Sequence, residues 1–97
     1  MSLIYMAEIN LKANCFDAAR RAVDGIVDET RAEAGCERFD AHPAADGSPN
    51  LVIYERWADR AAYDFHHAQD YTRAVFKGYE DWLSGPVKMT ELVDALV

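Results

Sequence analysis

Apolar residues occupy every second position at the start of the chain. On one side of residues 3–12 these are Leu3, Tyr5, Ala7, Ile9 and Leu11. The positions between them hold Ile4, Met6, Glu8 and Asn10. A period of two is that of a β-strand, whose successive side chains point to opposite faces. The pattern therefore predicts a first strand with one apolar face and one mixed face.

Beyond Asn14 the apolar spacing changes to steps of three and four, which place side chains on one stripe of a helix. The residues of this stripe are Phe16, Ala19, Val23, Ile26 and Val27. Asn14 is expected to cap the start of the helix, and Asp17 favours the positive end of its dipole. Gly35 is expected to cap its end.

Two short strands are predicted next, joined by a hairpin loop. Residues 36–42 have strand-like content that ends at Pro43, and residues 44–50 collect the Gly, Pro, Asp, Ser and Asn of turns. Residues 51–57 carry so many large apolar side chains that burial on both faces is expected.

The last part of the chain changes from helical to strand-like spacing. Residues 59–83 are predicted to be helical, with Asp59 as a cap and a break near Gln69 and Asp70 that divides them into two helices. Residues 87–95 are predicted to form a fourth strand. The order of elements is that of a split βαβ, ferredoxin-like α+β domain, in which helices cover one face of a four-stranded antiparallel sheet. A chain of 97 residues suits a single domain, here residues 1–97.

The second face of this sheet is expected to be covered by another copy of the chain. Strands one and three carry more large apolar side chains than a face left to water would favour. An isologous twofold contact is the commonest way to bury such a surface. We therefore expect a homodimer.

Composition and charge restrict the partners. The formal net charge of −7 disfavours nucleic acid, which is a polyanion. No apolar run reaches the roughly 20 residues that span a bilayer, and no secretory signal is visible, so a cytoplasmic location without membrane contact is expected. Cys15 and Cys36 match neither a redox pair nor a metal cluster and are expected to be free thiols. The sequence contains no P-loop, GxGxxG, GxSxG or HExxH motif.

Three segments resemble the antibiotic biosynthesis monooxygenase family. The matching positions are Glu33, Gly35, Cys36 and Phe39, then Tyr54, Glu55 and Trp57, and then His66. The resemblance implies a dimeric α+β barrel with a pocket between helices and sheet in each subunit. It also implies a monooxygenase that needs no flavin, metal or haem and acts with dioxygen on quinols, polyphenols or polyketide-like aromatic compounds.

His66 is the candidate catalytic base within this resemblance, because an imidazole titrates near neutral pH and can take a phenolic proton. A core histidine with a satisfied hydrogen bond is the alternative. His67 points about 100° away on the same helix, so only one of the two is expected to face a given pocket. Glu55 is expected to be structural or orienting, by holding a histidine or by forming an ion pair that fixes the sheet or the dimer.

Five aromatic residues are candidates for substrate binding: Trp57, Phe65, Tyr71, Phe76 and Tyr79. Their alternative role is packing, since an aromatic stripe on a helix is more often core than binding wall. No metal site is expected, because adjacent histidines cannot readily chelate one ion.

Haem breakdown is not expected. The haem-degrading relatives rely on an Asn, a Trp and an iron-binding His, and the corresponding positions here are Ile9, His66 and Phe76. Two further functions stay open beside the monooxygenase: an isomerase of a small oxygenated metabolite, and a ligand-binding dimer without catalysis.

Overall fold

The predicted order of strands and helices is confirmed by the computed structural model, which describes residues 1–96. Its elements are β1 (Leu3–Asn10), α1 (Phe16–Arg31), β2 (Cys36–Pro43), β3 (Asn50–Trp57), α2 (Arg60–Ala68), α3 (Asp70–Trp82) and β4 (Lys88–Leu92). One turn of 3-10 helix, Ala13–Cys15, precedes α1. The strands form one antiparallel sheet in the order β2-β3-β1-β4, which confirms the ferredoxin-like α+β fold.

The core lies between one face of the sheet and the three helices. β1 and β3 pair along their whole length, with Ala7 opposite Ile53 and Ile9 opposite Leu51. These strand residues pack against the apolar stripe of α1 and against Val75 of α3 in one buried cluster. Period-two strands and a period-3.6 helix therefore meet on their apolar sides, as the spacing predicts.

β3 alternates between buried and half-buried positions rather than being buried on both faces. Its four buried residues face the helices and are Leu51, Ile53, Glu55 and Trp57. The residues between them face the other side of the sheet, where Arg56 forms ion pairs with Glu37 and Asp94. The expectation of full burial is wrong for the chain by itself, because all three helices pack on one face.

The ends of α1 differ from the prediction. Asn14 lies inside the 3-10 turn, and α1 has Cys15 at its N-cap position without a capping side chain. The helix ends at Arg31, and the carbonyl groups of Asp28 and Thr30 accept hydrogen bonds from the N–H groups of Ala32 and Glu33. Gly35 is therefore not the C-cap residue.

The helical region after β3 follows the prediction closely. Asp59 caps α2, since its Oδ1 accepts a hydrogen bond from the N–H of Ala62 at 2.8 Å. Gln69 is extended and separates α2 from α3. β4 is shorter than predicted and ends at Leu92. No helix between residues 1 and 96 combines the length and the apolar composition needed to cross a lipid bilayer.

Gly35 is needed for the close approach of α2. A Cβ atom at this position would lie 2.3 Å from the Cβ of Ala62. We expect Gly35→Ala to lower the free energy of unfolding by about 1–3 kcal/mol, because overpacking forces the helix away from the sheet. Urea denaturation measures this difference.

Gly25→Ala is the matched control, because a Cβ atom on this exposed residue of α1 meets nothing within 4 Å. In a helix interior alanine is more favourable than glycine by about 0.5–1 kcal/mol, so this variant should be slightly more stable than the wild type. Equal stability of the Gly35→Ala variant and the wild type would contradict the close packing of α2.

Candidate active site

A cavity of about 270 Å³ lies between the sheet and the helices. Its apolar wall consists of Ala7, Ile9, Val23, Ile26, Phe39, Ile53, Val75, Phe76, Val87 and Met89. Its polar residues are Glu55, Tyr63, His66, His67, Thr72 and Tyr79. A concave, mostly apolar pocket with a few polar groups is the usual form of a small-molecule site.

Glu55 is a buried carboxyl group in the wall of the cavity, with 5% of its surface exposed. Its Oε1 accepts a hydrogen bond from Nε1 of Trp57 at 3.1 Å. Burial raises the pKa of Glu55 to about 7, while the bond from Trp57 acts in the opposite direction. The group can therefore change protonation state near neutral pH.

Within residues 1–96 Glu55 forms no ion pair, so the expectation that such a pair fixes the sheet is not met. The alternation of the strand explains this. Arg56 follows Glu55 directly and therefore points to the opposite face of the sheet. A second copy packed on that face could not reach the Glu55 carboxyl group directly either.

His66 lies in the cavity wall with 3% of its surface exposed. Its Nδ1 lies 2.9 Å from Oε2 of Glu33, and the hydroxyl group of Tyr71 donates to the same oxygen. Burial and the bond to Glu33 raise the pKa of Tyr71, so its phenol stays protonated and remains a donor. The contact with Glu33 engages Nδ1 and leaves Nε2 as the ring nitrogen that can contact a ligand.

His67 also lines the cavity, so the expectation that only one of the two histidines faces it is wrong. α2 lies over the cavity in such a way that His66 packs against the Trp57 ring at 4.7 Å, while His67 packs against Phe76 of α3 at 5.3 Å. Burial and the neighbouring His66 lower the pKa of His67 to about 4, so this imidazole is neutral at neutral pH.

Two of the five predicted substrate-binding residues line the cavity. Tyr79 is buried there, and Phe76 lies at its rim with 46% of its surface exposed. Met89, with 41% of its surface exposed, also lies at the rim. These side chains are the ones that an entering ligand would meet.

The other three lie elsewhere. Trp57 is fully buried beneath His66 and supports the wall without forming part of it. Tyr71 is held by Glu33 behind His66. Phe65 is 56% exposed on the outer side of α2, because it precedes the inward-facing His66 by one residue. Direct substrate contact is therefore not supported for these three residues.

Glu33 is the site residue whose role the sequence does not reveal. It lies in a turn beyond α1, 33 positions before His66, and no periodicity relates the two residues. Its place beside Gly35 in the Glu-x-Gly-Cys segment is the one signal that could have identified it. Buried polar groups need partners, and only the folded chain brings these two together.

No metal site is formed by the described residues, since no three His, Cys, Asp or Glu side chains among residues 1–96 are grouped to hold an ion. Cys15 and Cys36 are free thiols, as predicted. Burial, followed by the nearby Glu33 and Glu55, raises the pKa of Cys36 to about 11. This thiol is therefore a poor nucleophile at neutral pH.

The raised pKa of Glu55 predicts a stability that depends on pH. Because the folded protein holds the Glu55 proton more tightly than the unfolded chain, stability should fall as the pH rises from about 4.5 to about 7. At about 1.4 kcal/mol for each pKa unit, the loss amounts to about 3 kcal/mol. In Glu55→Gln this loss should be absent.

Urea denaturation at about pH 5 and about pH 8 tests this prediction. The variant should gain stability relative to the wild type at the higher pH. Glu80→Gln is the control, because Glu80 is an exposed residue of α3 that does not line the cavity. A Glu55→Gln variant whose stability parallels that of the wild type at both pH values would contradict the buried carboxyl group.

Comparison with known proteins agrees with the resemblance in the sequence. The profile of the antibiotic biosynthesis monooxygenase family matches residues 2–78. A relative from Mycobacterium tuberculosis, named "Putative monooxygenase Rv0793", is 35% identical over 75 residues, which cover 77% of this chain and 73% of the relative.

Solved structures show the same fold over nearly the whole length. The structure of Rv0793 matches with a TM-score of 0.91 and 28% identity, covering 100% of this chain and 98% of that one. PA3566 from Pseudomonas aeruginosa matches with a TM-score of 0.90 and 28% identity, covering 98% and 95%. The sequence profile, the curated relative and the fold agree, and the chain belongs to the antibiotic biosynthesis monooxygenase family.

Proposed function

We propose that this chain is a cofactor-independent monooxygenase that uses dioxygen to oxidise a quinol, a polyphenol or a polyketide-like aromatic compound. The observation that carries the proposal is the buried His66 and Glu33 pair at the wall of an apolar cavity. The family and the name of the relative from Mycobacterium tuberculosis support an oxygenase.

The proton transfer is assigned to His66. Its Nε2 is the ring nitrogen that Glu33 leaves free, and it can accept the proton of a substrate hydroxyl group. Glu33 is a positioning residue, because it holds the imidazole through Nδ1 and does not line the cavity. Removal of that proton makes the substrate an electron-rich anion.

The electrons come from the substrate. A phenolate or enolate passes electrons to dioxygen, one oxygen atom bonds to the substrate carbon, and the other leaves as water. No separate reductant is needed, so the protein has to deprotonate, orient and desolvate its substrate. The apolar wall of the cavity provides the dry surface for this step.

Oxygen uptake with a panel of hydroquinones and anthrones tests the proposal. His66→Gln should lower the rate about 100-fold or more, which is the usual contribution of a general base. His42→Gln is the matched control, since this histidine is exposed on β2 and should leave the rate unchanged. Wild-type rates equal to the uncatalysed rate on every compound would contradict the oxygenase for that panel.

The alternatives give different results in the same assay. An isomerase would convert a small oxygenated metabolite without consuming oxygen. A ligand-binding dimer would bind a panel compound tightly without turnover. Either outcome would replace the oxygenase as the function of this cavity.

We also propose that the chain forms a homodimer through the sheet face opposite the helices. Met6 is 37% exposed at the centre of this face and lies opposite Tyr54, with Val52 two pairs further along on the same face. Charged residues surround this apolar centre, including the pair of Lys88 and Glu8. An apolar centre with a polar rim is typical of a protein interface.

Light scattering after gel filtration at micromolar concentration should give the mass of a dimer. Met6→Glu should shift the mass towards that of a monomer, because it places a charge in the apolar centre. Phe65→Glu is the matched control, since it makes the same change on an exposed residue of α2. A monomeric wild type would contradict the dimer.

A further inference from the structure

The buried carboxyl group of Glu55 has no role in the proton transfer proposed above. Oε1 is occupied by the N–H of Trp57, whereas Oε2 has no hydrogen-bond partner among residues 1–96. The residue lines the same cavity as His66. Buried carboxyl groups normally form hydrogen bonds with both oxygen atoms. A carboxyl group with one free oxygen in a cavity wall is therefore a candidate functional group.

Among residues 1–96, no lysine or arginine side chain lines the cavity beside Glu55. The titratable groups near it are Tyr5 on β1, Cys36 on β2, Tyr63, His66 and His67 on α2, and Tyr79 on α3. The part of α1 that lines the cavity is apolar. Burial, followed by the nearby Glu55 carboxylate, raises the pKa of Tyr79 to about 12, so Tyr79 remains a neutral phenol.

Trp57 contacts both hydrogen-bond acceptors considered in the cavity, Glu55 and His66. Glu55 is bound at the indole N–H, in the plane of the ring, and His66 packs against the indole at 4.7 Å between ring centroids. Both groups line the same cavity. We therefore expect a ligand with two separated donors to contact both of them.

We propose that Glu55 is a second catalytic residue: Oε2 accepts a hydrogen bond from one hydroxyl group of a dihydroxyaromatic substrate and takes its proton, while His66 takes the proton of the other hydroxyl group. This inference rests on the proposed oxygenase, and it selects quinols among the compounds considered above. A pKa of about 7 allows Glu55 to take up and release a proton near neutral pH.

The reaction balances with these two groups. The doubly deprotonated quinol gives its electrons to dioxygen, one oxygen atom bonds to a ring carbon, and the bond between the oxygen atoms breaks. The two protons held by His66 and Glu55 join the departing oxygen as water. The proton of the attacked ring carbon moves to an oxygen of the product, which is a hydroxyquinone.

The test is a binding measurement that does not depend on turnover. Calorimetry without oxygen compares 1,4-dihydroxynaphthalene with its monomethyl ether, which lacks one hydroxyl donor. The wild type should prefer the diol by about tenfold at about pH 8, since a hydrogen bond to a charged acceptor has this strength. The preference should shrink at about pH 6, where Glu55 is protonated.

Glu55→Gln should reduce the preference severalfold and remove its dependence on pH, because the amide stays neutral but can still accept from Trp57. Glu55→Asp keeps a carboxylate and should retain the pH dependence. Glu80→Gln, on an exposed position of α3 outside the cavity lining, is the matched control and should behave as the wild type does. Thermal unfolding of each variant at the assay pH verifies that it is folded.

If the Glu55→Gln variant keeps both the preference for the diol and its dependence on pH, the proposal is overturned, because His66 alone would then account for both. Equal affinity of the wild type for both probes, or no measurable binding of either, would also overturn it. The two proposals fail in different measurements. Absence of oxygen uptake contradicts the proposed oxygenase, whereas the calorimetric comparison tests the role of Glu55. If a quinol is oxidised, Glu55→Gln should lower kcat and remove an inflection near pH 7 from its profile.

Discussion

The packing of Trp57 is the contact on which the candidate site depends. This side chain is fully buried at the end of β3, where its ring contacts His66 and Tyr63 of α2 and Phe39 of β2. Its N–H holds the carboxyl group of Glu55. A large aromatic residue with one polar atom thus connects sheet, helix and cavity, and its burial stabilises the arrangement in which the titratable groups meet.

The site also carries a cost in stability. Glu55 loses water on burial and receives one hydrogen bond in return, whereas His66 and Tyr71 share the carboxylate of Glu33. Replacing the buried Glu55 carboxyl group, which has a single hydrogen bond, would stabilise the protein at high pH. Its presence therefore points to a role in function rather than in stability. The same burial that lowers stability brings the pKa of Glu55 into the range where proton transfer is effective.

The fold was predictable because local patterns dominate it. Alternation predicted β1, the high content of large apolar residues predicted β3, helical spacing predicted α1, and Asp59 and Gln69 predicted the ends of α2. Errors arose where a local signal competes with packing. Gly35 was expected to cap α1, yet its missing side chain makes room for Ala62 instead. Asn14 can cap a helix, but the chain forms a 3-10 turn there.

The sequence by itself determined the order of elements, the family and the candidate residues His66 and Glu55. It could not determine which groups these residues contact, because hydrogen bonds between positions far apart in the chain produce no periodic pattern in the sequence. Only the tertiary structure placed Glu33 against His66 and left Phe65 outside the cavity. The physical reason is that pairing and burial, which set charge and reactivity, arise where separate elements pack together.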